Sequence, residues 1–205
     1  MKNLDEIANR MQARLDEKDT VREIAIKSSR AIIRTSSGII HAIHRGEIVE
    51  DIYLEALDEA HRLRSLLEDH PDIWGSGLVE DALAEMAEAS ILVSIAKDQD
   101  LPDPDELNIP MTSYLMGFAD SIGELRRFSL EALRAGKVES ANRYLEMMED
   151  MFIVLMRFDY PDALVAIRRK QDIARSVLEK TRGEVAVAMN SMRLQDKIAE
   201  LSRKL

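Results

Sequence analysis

Apolar residues recur at three- and four-residue intervals along almost the whole chain, the period of one face of an α-helix. The pattern predicts a short helix near 3–16 and a first long helix over about 19–45. A second follows over about 47–69 and a third over about 78–97. Between the second and third, Pro71 to Gly77 holds Pro, Trp and two Gly and reads as a turn. The stretch 97–109 is polar and carries Pro, so it reads as a loop. Pro110 opens a fourth helix that runs to about Arg134, where Ala135–Gly136 breaks it. A fifth covers about 137–157. Pro161 starts a sixth that continues to about Met192, and a short tail helix reaches Leu205. No period-two stretch reads as a strand. The expected architecture is all-α, a single-domain bundle of six to seven helices spanning 1–205.

Composition narrows the chemistry. The 205 residues suffice for one sizeable core. Cysteine is absent, which excludes disulfides, thiolate catalysis and Cys-based metal sites. No apolar run is long enough to span a bilayer and no signal-peptide pattern is present, so a soluble cytoplasmic protein is expected. The formal charge of −10 argues on average against nucleic acid, but the positive charge is unevenly placed.

Two acidic pairs stand out on otherwise apolar helices. On the third helix Leu78, Ala82, Met86, Ala89 and Val93 form one apolar sector, and Ile91 and Ile95 a second. Asp81, Glu85 and Glu88 fill the strip between. On the fourth, Tyr114, Leu115, Phe118, Ile122, Leu125 and Leu133 make a core face. Asp120 and Glu124 project from its flank, bracketed by Gly117 and Gly123. Spacings of i, i+3 and i, i+4 point each pair from one face. Four converging carboxylates suit a hard divalent cation, Mg²⁺ or Mn²⁺, able to activate water and stabilise a phosphoryl transition state. Surface pairs neutralised by neighbours such as Arg126 and Arg127 are the alternative.

The first long helix carries Lys27, Arg30, Arg34, Ser37, His41 and Arg45 within roughly 80° of one another, a stripe of about 27 Å. Ile32, Ile33, Ile39, Ile40 and Ile43 lie opposite, and Glu23 is the acidic residue near the stripe's start. The stripe is either a solvated amphipathic face or a track for phosphates. Arg126, Arg127 and the run Arg168–Arg169–Lys170 add further positive charge. His41 and His44 lack an obvious third partner for a metal. The eleven methionines read as core filler, and Trp74 as a packing residue.

Taken together these residues resemble the translin family, and within it the translin-associated factor X branch. The stretch 114–127, Tyr-Leu-Met-Gly-Phe-Ala-Asp-Ser-Ile-Gly-Glu-Leu-Arg-Arg, is similar to the family's signature. Glu-Met-Ala-Glu-Ala at 85–89 is similar to a Glu-x-x-Glu-Ala of the catalytic branch. The basic stretches 167–172 and 180–185, and Ile43–His44–Arg45, fall in matching order. The resemblance implies an all-α chain that assembles into a hollow shell, a homo-octamer, and binds single-stranded RNA or short duplexes, with single-stranded DNA as a further ligand. It also implies a Mg²⁺- or Mn²⁺-dependent endoribonuclease leaving 5′-phosphate and 3′-hydroxyl ends. Glu85, Glu88 and Asp120 would be its metal-binding and catalytic carboxylates, with Glu124 in support. Lys27, Arg30, Arg34, His41 and Arg45 would bind the RNA backbone, with Arg126 and Arg127 as auxiliaries. The branch's longer loop before the fourth helix and its basic N-terminal extension have no counterpart here. That implies assembly with itself rather than with a separate translin subunit. A non-catalytic nucleic-acid-binding oligomer is the second reading, and a purely structural helical scaffold the third.

Overall fold

The structure, a computed structural model, describes residues 3–204. Among the described residues seven helices account for the fold: α1 (Leu4–His44), α2 (Glu50–Leu66), α3 (Pro71–Trp74), α4 (Gly77–Ala96), α5 (Met111–Arg134), α6 (Val138–Leu155) and α7 (Arg168–Lys204). No strand occurs among the described residues. The chain packs as two compact units, the division falling between Tyr114 and Leu115 in the first turn of α5.

Three helices and the turn at 104–108 end by the same device. After α1, Gly46 at φ +69° donates its N–H to the Ile43 carbonyl and Glu47 donates to Ala42. After α5, Gly136 at φ +71° donates to Leu133 and Lys137 to Ala132. Left-handed backbone at this position lets two orphan carbonyls find donors, and glycine adopts it without a Cβ penalty. Asp98 and Asn108, both at φ 54°, repeat the turn with a side chain present.

In the first unit α1 packs against α4 and α2. The contact face of α1 is built from Ala25, Ser28, Ser29, Ile32, Ser36 and Ile39. Small residues let the helices approach closely, and the isoleucines fill the seam. Ile32, Leu63, Leu83, Met86, Ile91 and Leu92 are all but completely buried. Each contributes about 1.5–3 kcal/mol relative to exposure. α4 is buried over most of its surface, from Val79 to Val93. That explains why its sequence shows two apolar sectors rather than one. The one-turn helix α3 is held from both sides: Lys18 pairs with Asp72, and the Arg64 guanidinium lies 4.8 Å over the Trp74 ring. Trp74 therefore packs, as expected.

In the second unit the Ser129 hydroxyl of α5 donates to the Ala141 carbonyl at 3.0 Å, and Phe128 stacks on Tyr144 of α6 at 5.4 Å. α7 lies along α6, where Arg182 pairs with Glu149 at 2.7 Å. Buried Gln171 anchors the first turn of α7, donating to the carbonyls of Leu155 (3.0 Å) and Phe158 (2.9 Å).

Four elements differ from the sequence reading. The segment Pro71–Gly77, read as a turn, opens with the one-turn helix α3. The short helix near 3–16 and the long one from 19 are one continuous α1. The sixth helix starts at Arg168 rather than Pro161, whose carbonyl instead accepts the N–H groups of Leu164 and Val165 in a turn. The tail helix is a continuation of α7, not a separate element.

Candidate functional site

On α4 the acidic pair differs in depth. Glu85 is half-buried and Glu88 is only 8% exposed. Glu88 sits in a run, Met86 to Val93, that is buried throughout. A carboxylate at this depth costs several kcal/mol unless hydrogen bonds or a cation offset its desolvation.

Across from α4, the cationic stripe of α1 is present as expected over most of its length. Lys27, Arg30 and Arg34 are exposed and, among the described residues, make no ion pair or side-chain hydrogen bond. His41 is also exposed, and its Nδ1–H donates to the Ser37 carbonyl at 2.6 Å, which leaves Nε2 directed outward from that bond. Arg45 stands apart. It caps the helix end and forms a two-point pair with Glu47 at 2.5 and 2.8 Å, which holds the guanidinium charged and pulls the Glu47 carboxyl below its usual range. The stripe and the acidic pair meet at Ser37, whose hydroxyl lies 3.5 Å from Glu85 Oε2. Ser36, the next residue, reaches the Met86 sulfur at 3.7 Å on the buried side.

On α5 the second acidic pair is engaged within its own unit. Lys170 of α7 places its ammonium 2.5 and 2.6 Å from the two oxygens of Asp120. Glu124 pairs along the helix with Arg127 at 3.6 Å, and Arg127 also reaches Glu131 at 3.4 Å. Arg126, 20% exposed, donates to the Thr181 hydroxyl at 2.7 Å and to both Glu184 oxygens at 2.8 and 3.1 Å. Its guanidinium is committed to holding α5 against α7. A side chain added at Gly123 would meet nothing within 4 Å, so the backbone beside Glu124 is open. Ser37, which contacts Glu85, and Lys170, which pairs with Asp120, carry no local sequence signal for those roles.

Among the described residues no three or more His, Asp or Glu side chains gather closely enough to hold a metal ion. The donor chemistry of the two pairs nonetheless suits Mg²⁺ or Mn²⁺, since both are hard cations that take carboxylate oxygens and water. Lys170 itself marks the space between the Asp120 oxygens as one that accommodates a cation.

Seven helices without a strand among the described residues, with a cationic helix packed on an acidic one, define an all-α fold that solved structures share. The crystal structure of AfC3PO superposes with a TM-score of 0.82 at 32% identity, covering 90% of this chain and 97% of that one. The structure of AfC3PO with duplex RNA gives 0.72 at 31% identity over the same shares. Apo-NeC3PO gives 0.78 at 19% identity, covering 88% and 96%, a likeness of fold alone. Residues 77–185 match the translin family, and an uncharacterized protein of Methanocaldococcus jannaschii is 36% identical over 186 residues, 89% of this chain and 82% of its own length. The chain belongs to the translin family. Both acidic pairs and the signature at 114–127 fall inside the matched span.

Proposed function

We propose that this translin-family chain is an RNA-binding, self-assembling endoribonuclease of the translin-associated factor X kind, dependent on Mg²⁺ or Mn²⁺. The observation that carries the proposal is the meeting of two opposite chemistries on neighbouring helices. The cations Lys27, Arg30 and Arg34 of α1, unpaired among the described residues, lead along one face to Ser37, and Ser37 touches Glu85 of α4. Phosphate-binding groups ending at carboxylates are what cleavage of a polyanion requires. The likeness to AfC3PO, a protein solved with duplex RNA, supports RNA as the ligand.

In this reading Lys27, Arg30, Arg34 and His41 hold phosphates by charge and hydrogen bonding, giving affinity with little sequence preference. Glu85 and Glu88 on α4, and Asp120 and Glu124 on α5, would be the carboxylates that supply oxygens to metal. When bound, the metal supplies a Lewis acid for the scissile phosphate and a hydroxide nucleophile at neutral pH. Glu88 lies in the buried run of α4. Arg45 and Arg126 serve the helix ends and the α5–α7 contact rather than RNA.

A labelled single-stranded RNA incubated with Mg²⁺ and the purified protein tests this. Glu88→Gln and Asp120→Asn are each expected to abolish cleavage while filter retention of the RNA is unchanged. Undiminished cutting by the double variant overturns the catalytic assignment. A second reading, a non-catalytic RNA- or DNA-binding oligomer, is favoured by the engagement of Asp120 with Lys170. It predicts retention of RNA with no Mg²⁺-dependent, chelator-sensitive cleavage.

A further inference from the structure

Lys170 is not one exposed lysine among many. Its neighbour Gln171 is 8% exposed and spends both amide hydrogens on the carbonyls of Leu155 and Phe158, so the first turn of α7 is fixed against the end of α6. That anchor delivers Lys170 to α5, where its ammonium stands almost equally from the two oxygens of Asp120, at 2.5 and 2.6 Å. The position between two carboxylate oxygens is the one a bidentate divalent cation takes. Lysine and metal therefore compete for the same lone pairs. Both side chains are about one-third exposed, 33% and 37%, so the pair lies within reach of solvent and exchanges readily.

We infer that Lys170 is the resident counter-ion of Asp120, and that a divalent cation binds this carboxylate by displacing it; the inference rests on the metal-binding role proposed above for Asp120. Lys170 is a positioning residue here. Without metal it holds the carboxylate oriented and neutralised. With metal its four-carbon stem swings the charge aside, which makes it a tuner of the metal concentration at which Asp120 is occupied.

Mn²⁺ binding to the full-length protein, followed by electron paramagnetic resonance in the absence of RNA, tests this. Lys170→Met keeps the length and removes the competing charge, and is expected to tighten Asp120-dependent binding about two- to fivefold. Lys170→Arg places a two-point donor on the carboxylate and is expected to weaken it. A merely structural lysine would move both variants in the same direction. Equal affinities, or weakening in both, with native binding still lost in Asp120→Asn, overturn the counter-ion role alone. Mn²⁺ binding unaffected by Asp120→Asn overturns this inference together with the metal role on which it rests.

Discussion

The hydroxyl of Ser37 lies 3.5 Å from Glu85 Oε2, at the point where the cationic face of α1 reaches the acidic face of α4. The same residue's carbonyl accepts from His41 Nδ1, so one serine orients a base on its own helix and touches an acid on the next.

If the face of α1 follows an RNA backbone, its cations release counterions and binding falls with salt. Arg30→Ala and Arg34→Ala are each expected to lower the slope of log affinity against log salt by about one. Arg126→Ala should leave that slope unchanged, because its charge is already spent on Glu184. Filter binding at several salt concentrations separates the two groups.

Arg126→Ala should instead lower stability. It leaves Glu184 unpaired and removes a donor from Thr181. The expected loss is about 1–2 kcal/mol, discounted for the 44% exposure of Glu184. A shifted urea midpoint with intact RNA retention is the expected result.

Acid sensitivity has an identifiable source between α1 and α2. Ser28 donates to Glu59 at 2.5 Å, and this bond, then Arg62, holds the Glu59 carboxyl below its ordinary value of 4.5 against the opposing effect of burial. A lowered folded value means the stabilisation is complete above the unfolded value and is lost as pH falls through the folded one. Ser28→Ala should therefore reduce the melting temperature at pH 7, and its deficit should shrink at roughly pH 3. Melting curves of both proteins across this range check the sign.

Asp98 pays a conformational penalty at φ 54° to end α4. Asp98→Gly relieves it and should stabilise the protein by about 0.5–1 kcal/mol, measured by denaturant unfolding.

The helices were largely legible because apolar spacing is a local property. The misjudged boundaries have local causes too. The sequence reading ends a short helix near 16 and starts the long one at 19, yet Thr20 turns its hydroxyl back to the Asp16 carbonyl and the helix runs through. Pro161 reads as a helix start, but the turn it makes ends before Arg168, where α7 begins.

The candidate site was legible in its residue types and not in its pairings. The acidic pairs and the stripe from Lys27 to His41 show in the spacing of charged residues on single helices. That Asp120 meets Lys170, and Arg126 meets Glu184, depends on helices distant in sequence. In the run Arg168–Arg169–Lys170 nothing local distinguishes the residue that reaches α5.

The length of α1 has a mechanical consequence. Its buried residues begin at Ala25, and the helix continues toward its start as far as Leu4. That leading part is about 30 Å long at 1.5 Å per residue. It acts as a lever whose fulcrum is the seam with α4. A tilt of about 5° at that seam moves the tip by about 2.6 Å over such a length. Any change of angle at that seam is therefore magnified toward Leu4, and the Lys18–Asp72 pair is the tie along this arm that resists it.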